Sequence, residues 1–234
     1  MDRGVCLMRF GLLAARSGRN AQNIIEAFAD GRISGEVAAV IGNQCDEHFV
    51  TSVQDDGLPS LFLNHEKYKS RGAFEKPVLE ALLDAKVDIA VSCSFSRILT
   101  KEFLDHAPSV VNSHPSILPA FQGRDADGDR PVDAAVKYGV QVLGATVHFV
   151  DELVDHGPVI IQGVVSRGPN ESNQQLIEKV LAVEDRIKVQ ALAWISEGRL
   201  EKTGRRVNLD RSDRVIQYPY IDGCLFSPAL EEGY

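Results

Sequence analysis

What most constrains this chain is the alternation, through its N-terminal part, of short apolar runs with helical periodicity. Residues 10–15, 37–41, 61–63 and 87–93 are apolar runs of strand length. Between the first two, Ile24, Ile25, Ala27 and Phe28 recur at helical spacing, with Asn20 in a position to cap them. A weaker helical pattern spans 47–54, and Phe74, Val78, Leu79, Leu82 and Leu83 make one stripe of a helix over 71–85. The run 87–93 is apolar apart from Asp88 and Ser92, as a strand covered on both faces must be. Strands that alternate with helices build β-α-β units. The reading is therefore an α/β fold: a mostly parallel, Rossmann-like sheet with helices on both faces.

The chain next reaches Val110-Val111-Asn112-Ser113-His114-Pro115-Ser116-Ile117-Leu118-Pro119. Each proline keeps the residue before it out of helical backbone, so the segment is extended. Side chains of an extended segment repeat with period two, which sends Asn112 and His114 to the same side. They arrive where open α/β sheets bind ligands, at a strand's C-terminal edge. Residues 144–150 and 159–165 predict two more strands joined by a polar loop, 151–157. A helix over 174–197 carries Leu176, Ile177, Val180, Leu181, Ile187, Leu192 and Ile195. After residue 200 comes a basic, polar stretch to Arg214, then an aromatic- and proline-containing tail. The organisation read here is one catalytic domain, 1–200, with a C-terminal tail, 201–234, packed on its surface.

A formal net charge of −8 argues against nucleic acid or an anionic membrane as the main partner. The four cysteines form no Cys-x-x-Cys pair, which points to reduced thiols in a cytoplasmic protein. Arg9 splits the apolar N-terminus, so it lacks the core of a signal peptide. No run approaches the ~20 apolar residues of a membrane span.

A histidine in a turn beside an amide suits proton transfer near neutrality. The NH₂ of Asn112 is a donor for a developing oxyanion, a role worth ~3 kcal/mol. Gly-x-Ser-x-Gly is absent, so these groups point to acyl transfer without a covalent intermediate. Asp155, just before Gly157-Pro158, has two readings: a carboxylate that caps its own loop, or one aimed at His114 that orients the ring. A zinc set of His114, His148 and Asp155 matches no metal spacing, and no metal is expected. Ser17-Gly18-Arg19-Asn20, between a strand and a helix, is a candidate anion site at a helix N-terminus. Arg71 on its own reads as a surface charge. Arg97 follows a buried strand, where an anion is as suitable a neighbour as solvent.

The run Asn112 to Gly123 resembles the Asn-x-His-Pro-Ser-Leu-Leu-Pro-x-Phe/Tyr-x-Gly signature of the folate-dependent formyltransferases. Gly144-Ala145-Thr146-Val147-His148-Phe149-Val150, followed by Asp155, resembles that family's second block, and the likeness covers about 10 to 200. It implies direct passage of the formyl group of 10-formyltetrahydrofolate, a co-substrate, to a primary amine through a tetrahedral intermediate. Asn112 and protonated His114 would stabilise the oxyanion, with Asp155 holding His114 and moving the proton through water. Arg97, Ile98 and Leu99 with Val150, Asp151 and Asp155 would line the folate site. The likeness is greatest to the purine-synthesis branch, whose acceptor is glycinamide ribonucleotide (GAR). Substrate contacts would then fall on Ser17, Gly18, Arg19, Asn20, Asn23, Arg71 and Glu184. That branch carries Ser-Gly-x-Gly-Ser-Asn after its first strand. Here the loop lacks the second glycine and the serine and is one residue longer if Asn23 takes the Asn position, while an Asp/Gly-rich insert, 124–130, is longer than usual. Rival readings are an amino-sugar nucleotide as acceptor, a formyltetrahydrofolate hydrolase, or a binding module without turnover. Members of the first kind generally append further domains, and the hydrolases usually carry an N-terminal regulatory one. The expected partners are small molecules, and monomer and homodimer both fit.

Overall fold

The computed structural model describes residues 7–95, 97–123, 130–211, 220–221 and 223–234. The chain divides into two compact units, Met1–Val110 and Val111–Tyr234.

In the first unit the order is β1 (Arg9–Arg16), α1 (Arg19–Ala29), β2 (Glu36–Cys45), α2 (Glu47–Asp55), β3 (Ser60–Leu63), α3 (Arg71–Asp84), β4 (Ile89–Cys93) and α4 (Lys101–His106). β1 lies between β2 and β4, β3 adds outside β2, and every pairing is parallel, as the alternation of runs predicts. Phe10, Leu12, Leu13, Val40, Ile41 and Val91 are buried along these strands, and the Phe10 ring packs against Phe28 of α1 at 5.1 Å.

Two helix starts in this unit carry candidate anion-binding residues. Gly18, not Asn20, is the N-cap of α1; its φ of 64° suits glycine, and no side chain caps the helix. A Cβ at Gly18 would fall 2.2 Å from the Phe49 ring of α2, so the close approach requires glycine as well. Asn20 sits inside the first turn, where its Nδ2 donates to Ser94 Oγ at 2.6 Å. Ser70 caps α3, its hydroxyl accepting from the Ala73 N–H at 3.2 Å. α4 and a one-turn 3-10 helix, His65–Lys67, are too short to show periodicity in the sequence.

β5 (Ser109–His114) leads into the second unit, pairing antiparallel with β6 (Val142–Phe149), which pairs antiparallel with β7 (Val159–Ser166). α5 (Arg130–Tyr138) lies between β5 and β6 in sequence, and residues 124–129 of the Asp/Gly-rich insert fall outside the described residues. α6 (Asn173–Ser196) starts with a capping box between Ser172 and Gln175 and buries Leu176, Ile187, Leu192 and Trp194. Among the described residues no helix is long and apolar enough to cross a membrane.

The expectation of a surface tail does not hold. After α6 the chain forms a hairpin, β8 (Leu200–Thr203) and β9 (Arg206–Leu209), and later two strands, β10 (Tyr220–Ile221) and β11 (Cys224–Ser227). β11 pairs antiparallel with β7, and Phe226 and Leu230 are buried. Strands of two to four residues carry too few alternations to be read from sequence.

Candidate active site

The antiparallel register of β5 and β6 sets Asn112 opposite His148 and His114 opposite Thr146. Residues paired across an antiparallel ladder point to the same face, so one side of this ribbon carries an amide, two imidazoles and a threonine. His114 and His148 are both buried.

Asp155 reaches the pair from the loop between β6 and β7. Its Oδ2 is 3.6 Å from His114 Nδ1, and its Oδ1 is 4.0 Å from His148 Nε2. The loop is closed at its base by Phe149 N–H donating to the Pro158 carbonyl at 2.9 Å. A Cβ at Gly157 would sit 1.7 Å from the Phe149 carbonyl oxygen, so the two strands of the loop cross there only because the residue is glycine. Asp155 has φ of 51°, left-handed backbone that Asp and Asn tolerate better than other side chains. The Gly123 N–H donates to its carboxylate at 3.4 Å.

The two rings are held differently. A carbonyl can only accept, so the ring nitrogen that faces one carries the hydrogen. His148 Nδ1–H donates to the Phe149 carbonyl at 2.9 Å, which leaves the Nε2 lone pair toward Asn112 Nδ2 at 3.5 Å. Burial holds the His148 pKa below its ordinary 6.5, against the opposite pulls of the Phe149 carbonyl and the Asp155 carboxylate. His114 Nε2–H donates to the Phe121 carbonyl at 3.1 Å, so Nδ1 is the atom turned to Asp155. Asn112 is fixed in turn, with one amide hydrogen directed at His148 and a second left for another acceptor.

Thr146 braces the turn that carries His114. Its Oγ1 donates to the Ser116 carbonyl at 2.7 Å and accepts from the Leu118 N–H at 3.1 Å and from Gln162 Nε2 at 3.0 Å. Gln162 also donates to the Leu118 carbonyl. His148 and Thr146 stand in the 144–150 block that the sequence singles out, but nothing in it shows which residues of β5 they oppose.

Glu184 is placed elsewhere. Its carboxylate accepts from the Ser113 hydroxyl and pairs with Lys188 Nζ at 3.5 Å, both α6 side chains being buried. Ser113 lies between Asn112 and His114 in β5, hence on the opposite face of the strand. The structure thus does not bring Glu184 to the imidazoles. Among the described residues no cluster of three or more His, Cys, Asp or Glu could hold a metal ion.

The remaining candidates lie in the first unit, apart from two at the Asp155 loop. Ser17 and Arg19 are exposed, Asn20 is buried and Asn23 half-buried around the start of α1, and Arg71 is the exposed first residue of α3. Arg97, Ile98 and Leu99 are half-buried after β4. The segment they form is anchored by Thr100, whose N–H and hydroxyl both donate to the buried Glu75 carboxylate. Val150 and Asp151 are half-buried at the start of the Asp155 loop, where Asp151 caps the Leu153 N–H at 2.9 Å.

A family model described as formyl transferase matches residues 8–192. Phosphoribosylglycinamide formyltransferase of Escherichia coli is 30% identical over 195 residues, 83% of this chain and 90% of that protein. Trifunctional purine biosynthetic protein adenosine-3 of Bos taurus is 33% identical over 200 residues, 84% of this chain. The match spans about a fifth (19%) of that much longer protein. The crystal structure of glycinamide ribonucleotide transformylase 1 from Symbiobacterium toebii superposes with a TM-score of 0.79 at 35% identity, over 87% of this chain and 94% of that one. The α/β architecture read from the alternating runs is that of these structures.

Proposed function

The chain belongs to the formyl transferase family, and from that premise we propose that it moves the formyl group of 10-formyltetrahydrofolate to the primary amine of glycinamide ribonucleotide, a cytoplasmic step of purine synthesis. The observation that carries the assignment is the meeting of half-buried Asn112 and Asp155 with buried His114 and His148 on one face of the β5–β6 ribbon.

In the reaction the amine nitrogen attacks the formyl carbon and the carbonyl electrons move to oxygen. The free N–H of Asn112 and a proton on His114 stabilise that oxyanion. The attacking nitrogen must lose a proton and the departing folate nitrogen must gain one. Asp155 is the group that carries it, through a water, before the bond from carbon to the folate nitrogen breaks. His148, with its proton on Nδ1, orients Asn112. Supporting the acceptor are the N-terminus of α1 beside Ser17, Gly18 and Arg19, the exposed Arg71, and the names of the relatives. Asn20, Asn23 and Glu184 are assigned to the acceptor by the family resemblance, Glu184 being bonded in this structure to Ser113 and Lys188. Arg97, Ile98, Leu99, Val150 and Asp151 are assigned to the folate.

The test is to mix the protein with 10-formyltetrahydrofolate and follow folate release with and without GAR. Release that requires GAR supports the assignment, release without any amine marks a hydrolase, and no release under either condition refutes turnover. His114→Ala should cut kcat by ~10²–10⁴ while folate still binds. Near-wild-type turnover would remove His114 from the mechanism.

A further inference from the structure

The Asp155 loop is also held from outside its own strands, at the next residue. The His156 carbonyl accepts from Arg205 Nη2 at 2.6 Å, and Arg205 Nη1 lies 2.9 and 3.1 Å from the two ring nitrogens of His156. His156 Nδ1 is 3.0 Å from Asp151 Oδ2, so Nδ1–H donates there and Nε2 is left to accept from the guanidinium. Arg205 stands at the turn between β8 and β9. On the same hairpin, Lys202 Nζ lies 5.5 Å from the centre of the Phe149 ring, at the loop's other end. One hairpin thus grips the loop at both ends, and a forked side chain holds the residue adjoining the carboxylate.

We propose that the β8–β9 hairpin is a strap that positions Asp155, and that Arg205 is the positioning residue through which it acts. This rests on Asp155 taking part in formyl transfer. Arg205 is exposed, and hydrogen bonds made at the surface contribute little to global stability. Its effect is instead on geometry, where a displacement of about 1 Å can cost ~100-fold in rate.

The experiment compares wild type, Arg205→Ala, Arg205→Lys, Asp155→Asn and the Arg205→Ala/Asp155→Asn double variant, in steady-state formyl transfer to GAR and in thermal melting. Arg205→Ala should lower kcat by about ten- to a hundredfold, with the acceptor KM and melting temperature unchanged. Arg205→Lys should recover only part, since an ammonium cannot hold carbonyl and ring together. Arg205→Ala should cost nothing further once Asp155 is Asn. An equal loss in that background, or wild-type kcat for Arg205→Ala, overturns the proposal. Hydrogen exchange of the amides of 151–156 gives an arm that does not depend on the reaction. Exchange should quicken in Arg205→Ala, and unchanged exchange overturns the strap even if the wild-type protein proves inert toward GAR, a result that would count against the reaction alone.

Discussion

Two imidazoles share one carboxylate, and the carbonyls behind them decide what each can do. Phe149 fixes the proton of His148 on Nδ1, and Phe121 fixes one proton of His114 on Nε2. Each ring therefore turns its other nitrogen to Asp155, His114 Nδ1 at 3.6 Å and His148 Nε2 at 4.0 Å. A measurable consequence belongs to His148. Burial lowers its folded-state pKa below 6.5, so under more acidic conditions the unfolded chain binds a proton that the folded chain refuses. Stability that is complete above pH 6.5 is then lost as the pH falls toward the lowered value, at up to about 1.4 kcal/mol per pH unit. His148→Asn should flatten the fall in melting temperature on the acid side of that ordinary value, and an unchanged slope would show that other groups cause it. The period of an extended chain and two prolines make the Asn112–His114 pair legible in sequence. The partnership with Asp155 is not, because it depends on where the 150–158 loop closes and on a left-handed residue within it. The direction of Glu184 is likewise not legible, because it depends on which face Ser113 takes.

Among elements, the turn after β5 shows how a site is kept rigid from behind. Thr146 Oγ1 takes part in three hydrogen bonds there, two of them to backbone groups of the turn. Thr146→Val keeps the shape and removes all three, leaving buried backbone groups unpaired at a cost of ~1–3 kcal/mol for each group that water cannot reach. The expected result is a lower denaturation midpoint together with a fall in kcat. A variant that loses stability while keeping kcat would show that the turn holds His114 without Thr146. The longer helices and strands of the first unit are legible because they bury a periodic face, which short α4 and the half-exposed β3 do not. The α1 start is not at Asn20, since glycine's backbone freedom and the nearness of Phe49 outweigh the capping propensity of asparagine. The β8–β9 hairpin is invisible in the sequence, its four-residue strands being mostly exposed and polar.

Over the whole molecule, the parallel unit follows from the spacing of apolar runs alone, whereas the second unit draws its order from distant parts of the chain. β11 returns to β7 from roughly sixty residues downstream, and with it come the buried Phe226 and Leu230. The backbone beyond β11 is tied to α6 as well, the Glu231 N–H donating to Gln190 Oε1 at 2.7 Å while its carboxylate pairs with Arg199. Deleting residues 223–234 should remove ~1.5–3 kcal/mol for each of the two apolar side chains and bare the β7 edge. Light scattering should then report self-association; a soluble, equally stable truncation would make β11 dispensable. The pairing also means that the outer edge of β7 stays open until β11 is in place. β6 and β7 can zip as neighbours, but the ribbon they make has an unfinished margin while α6 and the hairpin are still being placed. During that interval the growing protein carries the kind of open backbone that other chains can join by mistake, and the arrival of Cys224–Ser227 ends the exposure.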